Sequence, residues 1–222
     1  MSIFNVQKII FDLDGTLIES APDLYAATNH VLAHVNRPHV TLEQVRHMVG
    51  FGAKRLIELG LEATGGMENH DPAELLPVFL DYYRAHIADD THVFEGGVEM
   101  LETLKAKGFS LAICTNKPMT LTEPLLKALR VNHYFDAVTG GDSFAFKKPD
   151  PRHLLATAAQ MHGDGTFLMV GDSINDIAAA RATKAPSVAV DFGYTDVAPH
   201  ELGADRVISG LSELPELVSY AA

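Results

Sequence analysis

Short apolar runs, each closed by a polar residue or a glycine, recur along the chain. They are Ile9-Ile10-Phe11 before Asp12, Phe109 to Cys114 before Thr115, and Thr166 to Val170 before Gly171. Runs that stay apolar without alternating are buried on both faces, as the strands of a parallel sheet are. Residues 137–139, 187–190 and 206–208 form weaker runs of the same kind. Between them, apolar residues return at helical spacing over 97–107, 119–129, 151–161 and 174–182. From Gly96 onward strand and helix therefore alternate, which predicts right-handed βαβ units. The expected fold class is α/β, a Rossmann-like doubly wound parallel sheet with helices on both faces.

Residues 17–90 break that rhythm. Helical patterns succeed one another over 23–34, 42–48, 53–63 and 73–86, with no convincing strand among them. An α/β core of residues 1–16 and 91–222 with an inserted helical subdomain of residues 17–90 is the organisation this predicts. Pro22 and Pro72 sit near helix starts, where a missing N–H costs nothing. Gly65-Gly66 marks a break, Asp150-Pro151 an N-cap with a first-turn proline, and Lys107-Gly108 a helix end.

In an open α/β sheet, ligands bind beyond the carboxyl ends of the strands, so the polar residues that close the apolar runs carry the candidate chemistry. Residues two apart in an extended segment point the same way, so Asp12 and Asp14 share one side while Leu13 faces the other. Two crowded carboxylates call for a cation or a shared proton. Gly15 permits a sharp turn in which Thr16 is expected to hydrogen-bond. Asp172 and Asp176 repeat the acidic pattern around Ser173 at another strand end. Hard oxygen ligands from two strand ends suit Mg²⁺, with Asp172 as a direct ligand and Asp176 acting through water or by orienting its neighbours. Thr115 and Asn116 precede a helix and offer a hydroxyl and N–H groups to a phosphate. Lys148, held between Pro149 and the Asp150 cap, supplies positive charge, whereas Lys147 reads as a solvated surface residue.

Charge makes that local cation necessary. The formal net charge of −12 argues against a general affinity for nucleic acid or an anionic membrane, and an anionic ligand needs the field reversed at its site. The hydrophobic fraction is 47%, yet no apolar run approaches the ~20 residues that span a bilayer. The N-terminal segment has no secretory pattern and Cys114 is the only cysteine, so a cytoplasmic location is expected. His30 and His34 share helical spacing without a third ligand nearby and read as ordinary helix residues.

The segments DLDGT, TNK, KKP and GDSIND, in this order, resemble the four motifs of the haloacid dehalogenase superfamily of aspartate-nucleophile phosphatases. An insert directly after the first motif resembles the cap of that superfamily's subclass I. FDLDGTLIESAPDL, VGFGAKRLIE, AICTNKP, FKKPDPRHLL, GDSINDIAAARA and VAVDFGYTD look like the phosphoglycolate phosphatase subfamily. The chain departs from it at Thr183-Lys184-Ala185-Pro186, where relatives carry an Ala-Gly step, and only the local helix end is affected.

The resemblance implies a phosphatase of small phosphorylated metabolites that works through an aspartyl phosphate, with 2-phosphoglycolate as the expected substrate. Asp12 would be the nucleophile. Asp12, the backbone carbonyl of Asp14 and Asp172 would hold Mg²⁺, and the Asp14 carboxyl would be acid and base. Thr115, Asn116 and Lys148 would bind the phosphoryl group, supported by Thr16, Ser173 and Asp176. In the insert, Gly52, Lys54 and Arg55 are candidates for contact with the glycolate carboxylate. Rival readings are a phosphomutase or phosphonate hydrolase of the same superfamily and a phosphoaspartate signalling domain. No nucleic-acid or membrane partner is expected, and the chain is read as a monomer or homodimer.

Overall fold

Unbroken apolar runs become the strands of one sheet, and the helices between them cover its faces. The computed structural model describes residues 4–195 and 197–221; residues 1–3 of the N-terminal segment and Asp196, the last residue of VAVDFGYTD, lie outside them. The first part of the chain contains β1 (Phe4–Val6), β2 (Lys8–Phe11) and β3 (Ile18–Glu19). Helices α1 (Ala21–His34), α2 (Leu42–Arg46), α3 (Ala53–Ala63) and α4 (Pro72–Ala85) follow, then β4 (His92–Val93). The remainder alternates through α5 (Gly97–Ala106), β5 (Ser110–Cys114), α6 (Met119–Ala128), β6 (Ala137–Thr139), α7 (Pro151–Ala158) and β7 (Phe167–Gly171). It closes with α8 (Ile174–Thr183), β8 (Ser187–Val190), β9 (Arg206–Ile208), α9 (Leu214–Leu217) and β10 (Val218–Tyr220).

Six strands pair in parallel in the order β6-β5-β2-β7-β8-β9. The chain builds outward from β2 through β5 to β6, then returns to the other side of β2 for β7, β8 and β9. Strand order reverses beside β2, and that is where an open α/β sheet forms its ligand crevice. Alternate strand residues serve opposite faces. Ile9, Phe11, Leu111, Ile113, Leu168 and Val170 pack with Leu101 and Leu104 of α5 and Leu125 of α6. Ile10, Ala112, Cys114 and Met169 pack with Leu154 of α7 and Ala179 and Ala180 of α8. Both faces of β2, β5 and β7 are buried, as their unbroken apolar runs require.

Helices α1 to α4 have a core of their own, including Leu24, Val31, Val45, Leu56, Ile57, Phe79 and Tyr83, and Leu121 of α6 joins it from the sheet side. The segment read as lacking strands does contain one. Ile18 and Glu19 of β3 pair antiparallel with Val93 and His92 of β4 at the neck between helices and sheet. A two-residue strand is too short to show a period, and its pairing is set by the return of a chain segment far along the sequence. Leu17 and Ile18 accordingly pack in the core of the sheet, although the sequence pattern assigns them to the insert. The parallel pair of β1 with β10 was equally invisible, because each strand has only three residues around a polar centre, Asn5 or Ser219.

Candidate active site

The sheet order makes neighbours of segments that are far apart in sequence. Because β2 lies between β5 and β7, the residue after β2, Asp12, sits between Thr115, which follows β5, and Asp172, which follows β7. The backbone N–H of Asp12 donates to the Val170 carbonyl at 2.9 Å, and that of Thr115 to the Thr139 carbonyl at 3.0 Å, so the ladder runs into the site. Leu13 is fully buried in the core, and Asp12 and Asp14 both line a cavity on the other side, as their spacing predicts.

Lys148, also buried, lies with Nζ 2.7 Å from Asp12 Oδ1 and donates to Asp176 Oδ1 at 2.6 Å. Asp12 Oδ1 is buried, and the Lys148 ammonium is its ion-pair partner. The second oxygen of Asp176 accepts from the N–H and hydroxyl of Ser173, at 3.0 and 2.6 Å. Asp176 is thus occupied on both sides, consistent with an orienting part. Asp172 accepts from the Tyr194 N–H at 2.8 Å and from the Thr16 hydroxyl at 3.2 Å. Thr16 bonds within its turn through its backbone N–H, which donates to the Leu13 carbonyl at 3.3 Å, while its hydroxyl reaches across to Asp172.

Glycine is required where these segments touch. Gly15 has φ +81°, and a Cβ there would collide with Asp172 Oδ2 and come within 2.8 Å of the Tyr194 ring. A Cβ on Gly193 would likewise collide with the Asp172 side chain.

Asp12, Asp172 and Asp176 each place a carboxylate oxygen within 4.8 Å of the others. Three carboxylates facing one ammonium leave two negative charges uncompensated in a buried site. Burial first, then the nearby Asp176 carboxylate, push Asp12 up to about 7 against the pull of Lys148. Burial, Asp176 and Asp12 push Asp172 up to about 8. For Lys148, burial alone acts downward, but Asp12 and Asp176 outweigh it, and the ammonium is held well above its ordinary range. A divalent cation answers this charge, and the clustered carboxylate oxygens of Asp12 and Asp172 are hard ligands suited to it. The residues fit a hard divalent metal.

Asn116 donates to the Lys148 carbonyl at 3.0 Å and to the Gly50 carbonyl of the helical segment at 3.4 Å. Thr115 is buried, and its hydroxyl accepts from the Lys117 N–H at 3.1 Å. Both residues line the cavity together with Ser173, whereas Leu24, Met48, Leu56 and Phe79 of the helical segment form an apolar roof.

Gly52 also lines the cavity, but Lys54 and Arg55 do not. Both are exposed, and Arg55 pairs with Glu58 at 3.0 Å and Glu62 at 3.5 Å along its own helix. Helical spacing explains this: Ala53 and Leu56 take the cavity-facing stripe of α3, which turns the two cations outward.

The cation that does line the cavity is Lys117, which the sequence reading left inside its motif without a role. Its Nζ donates to both oxygens of Asp14, at 3.1 and 3.2 Å, and to the hydroxyl of Tyr83 on α4 at 2.9 Å. Burial works against its charge, but Asp14 and Tyr83 overcome that and hold it protonated. Tyr194 was missed as well. Its hydroxyl donates to Glu19 at 2.6 Å and accepts from the N–H groups of Ser20 and Ala21, while the Ser20 hydroxyl donates to Asp14 at 2.6 Å. No periodicity marks these residues, since they meet only through the tertiary fold.

Residues 9–190 match the family described as haloacid dehalogenase-like hydrolase. The chain is 42% identical to the phosphoglycolate phosphatase of Caulobacter vibrioides over 96% of its own length and 90% of that protein. It is 44% identical to the phosphoglycolate phosphatase of Agrobacterium fabrum over 92% of its length and 89% of that protein. Among solved structures, a predicted phosphoglycolate phosphatase from Haemophilus somnus superposes with a TM-score of 0.87 at 29% identity, covering 96% of this chain and 97% of the other. With the four polar clusters gathered around Asp12, these likenesses show that the chain is a phosphatase and belongs to the haloacid dehalogenase-like hydrolases.

Proposed function

We propose that the chain is a magnesium-dependent phosphomonoesterase that converts 2-phosphoglycolate to glycolate and phosphate through an aspartyl phosphate on Asp12. The observation that carries this reading is Asp12 at the end of β2, its buried Oδ1 2.7 Å from the Lys148 ammonium and within the three-carboxylate cluster. The substrate assignment draws on relatives named phosphoglycolate phosphatase.

Asp12 and Asp172, with the backbone carbonyl of Asp14, would hold Mg²⁺. When bound, the ion supplies positive charge to the phosphoryl oxygens and offsets the repulsion between an attacking carboxylate and a phosphate dianion. Lys148 adds to that charge, and Asp176 fixes Lys148 by taking its ammonium on Oδ1. Thr115 and Asn116 would bind the phosphoryl oxygens at the start of α6.

In the first step a carboxylate oxygen of Asp12 bonds to phosphorus as the ester P–O bond breaks, and the Asp14 carboxyl gives its proton to the departing oxygen. In the second step water attacks the same phosphorus, Asp14 takes a proton from it, and the bond to Asp12 breaks. The two-part division is included in the proposal: residues 1–16 and 91–222 carry the reaction, and residues 17–90 act as a cap that shields it from solvent.

Phosphate release from a panel of 2-phosphoglycolate, ethyl phosphate and sugar phosphates, in Mg²⁺ and in EDTA, tests the reading. The expected result is the highest kcat/KM for 2-phosphoglycolate, lost in EDTA and restored by Mg²⁺. Turnover indifferent to EDTA, or isomerisation of a sugar phosphate without free phosphate, would overturn it.

A further inference from the structure

We propose that Lys117 is the cation that recognises the carboxylate of the substrate, selecting phosphomonoesters whose carboxylate lies one methylene from the ester oxygen. The inference rests on the 2-phosphoglycolate reading above. A carboxylate entering an apolar enclosure is unfavourable unless a positive charge meets it there. The roof of the cavity, Leu24, Met48, Leu56 and Phe79, offers it no charge. Lys148 is committed to Asp12 and Asp176. Lys54 and Arg55 face solvent, and Arg55 is already paired with two glutamates. Among the described residues lining the cavity, Lys117 is the only lysine or arginine.

Its position matches the chemistry of the ligand. Lys117 Nζ lies 3.1 Å from an oxygen of Asp14, the residue placed beside the ester oxygen. A cation next to that proton donor is within reach of a group one methylene away from the same oxygen, and out of register with a carboxylate carried further along a chain. Donor counting agrees. An ammonium has three N–H groups, and those of Lys117 are spent on the two oxygens of Asp14 and the hydroxyl of Tyr83. When Asp14 turns one oxygen toward the ester, one N–H of Lys117 is released, and the substrate carboxylate is the acceptor that takes it. Tyr83, on α4, keeps the ammonium in place from the roof side.

The test is the ratio of kcat/KM for 2-phosphoglycolate to that for ethyl phosphate, in which a methyl group replaces the carboxylate. It is measured in the wild type and in Lys117→Met, Lys117→Gln and Lys117→Arg, with folding checked by thermal melting. Lys117→Gln keeps a hydrogen bond to Asp14 without the charge and carries the test if Lys117→Met does not fold. The ratio should fall by roughly 100-fold or more in the Met and Gln variants, mostly through KM, and persist largely in Lys117→Arg. Equal loss on both substrates would reduce Lys117 to a positioning residue for Asp14 and overturn the proposal, as would an unchanged ratio. A wild-type enzyme with no preference for 2-phosphoglycolate would sink the substrate reading, and this inference with it.

Discussion

Three clustered carboxylates, two of them paired with the one Lys148 ammonium, set the behaviour of the site residue by residue. Asp12 and Asp172 are raised to about 7 and about 8 from an ordinary 3.8, so the metal-free fold holds protons that the unfolded chain has already lost. Stability therefore declines as pH rises from about 4 to about 8, and the full penalty is present above that window. His153 acts with the opposite sign. Burial and Lys148 lower it from 6.5 to about 4, so the fold keeps it neutral and loses stability as pH falls through that range. Mg²⁺ bound among the carboxylates would act on them and leave His153 alone, so the difference between melting temperatures in Mg²⁺ and in EDTA would isolate the first effect. That difference should grow from pH 5 to pH 8; a difference that is constant or shrinks would contradict the buried-carboxylate account. Asp172→Asn should weaken Mg²⁺ binding by at least roughly tenfold while raising the melting temperature in EDTA at pH 8, because it removes a charge that nothing local neutralises. Unaltered Mg²⁺ affinity in calorimetry would remove Asp172 from the ligand set.

Elements inherit their limits from single positions. Helix α8 ends at Thr183, and Lys184 takes φ +61° as its cap, a conformation that favours glycine. The family resemblance predicts an Ala-Gly step here, and the helix stops at the same place with a strained lysine instead. Lys184→Gly should raise stability by about 1 kcal/mol in urea unfolding, and a loss would show that the lysine is held by something other than backbone. Strands β2, β5 and β7 could be read from the chain because burial on both faces leaves an unbroken apolar run. Helix starts at Pro72 and Asp150-Pro151 could be read because capping is local chemistry. β1, β3, β4 and β10 could not, since two or three residues carry no period and their pairing is decided at long range. The same division holds in the site. Asp12, Asp14 and Asp172 stood out because each sits at or near a strand end in a polar cluster, and Lys148 because it precedes a capped helix start. The outward turn of Lys54 and Arg55 and the convergence of Lys117, Tyr83 and Tyr194 depend on how α3 and α4 dock on the sheet.

At the scale of the molecule, helices α1 to α4 have their own core and meet the sheet through a narrow neck. β3 pairs with β4 there, and Asp23 accepts from the N–H groups of Asp90 and Thr91 and from the Thr91 hydroxyl, at 3.1, 2.9 and 2.6 Å. One carboxylate thus ties the chain entering the helical segment to the chain leaving it. Asp23→Ala would strand these buried donors, costing about 1–3 kcal/mol, and a looser neck should alter kcat and KM together. A variant with wild-type melting and kinetics would show that the neck is held elsewhere. The contacts that cross from helices to sheet at the cavity, Lys117 to Tyr83 and Asn116 to Gly50, link the same two parts. All of this matters for function only if Asp12 takes up the phosphoryl group. Rapid acid quench of the enzyme turning over phosphate-labelled 2-phosphoglycolate, followed by digestion, should place the label on the peptide carrying Asp12, and Asp12→Asn should lose label and roughly 10⁴-fold or more of kcat. Steady phosphate release with no label on Asp12, matched by a turning-over Asp12→Asn variant, would contradict it.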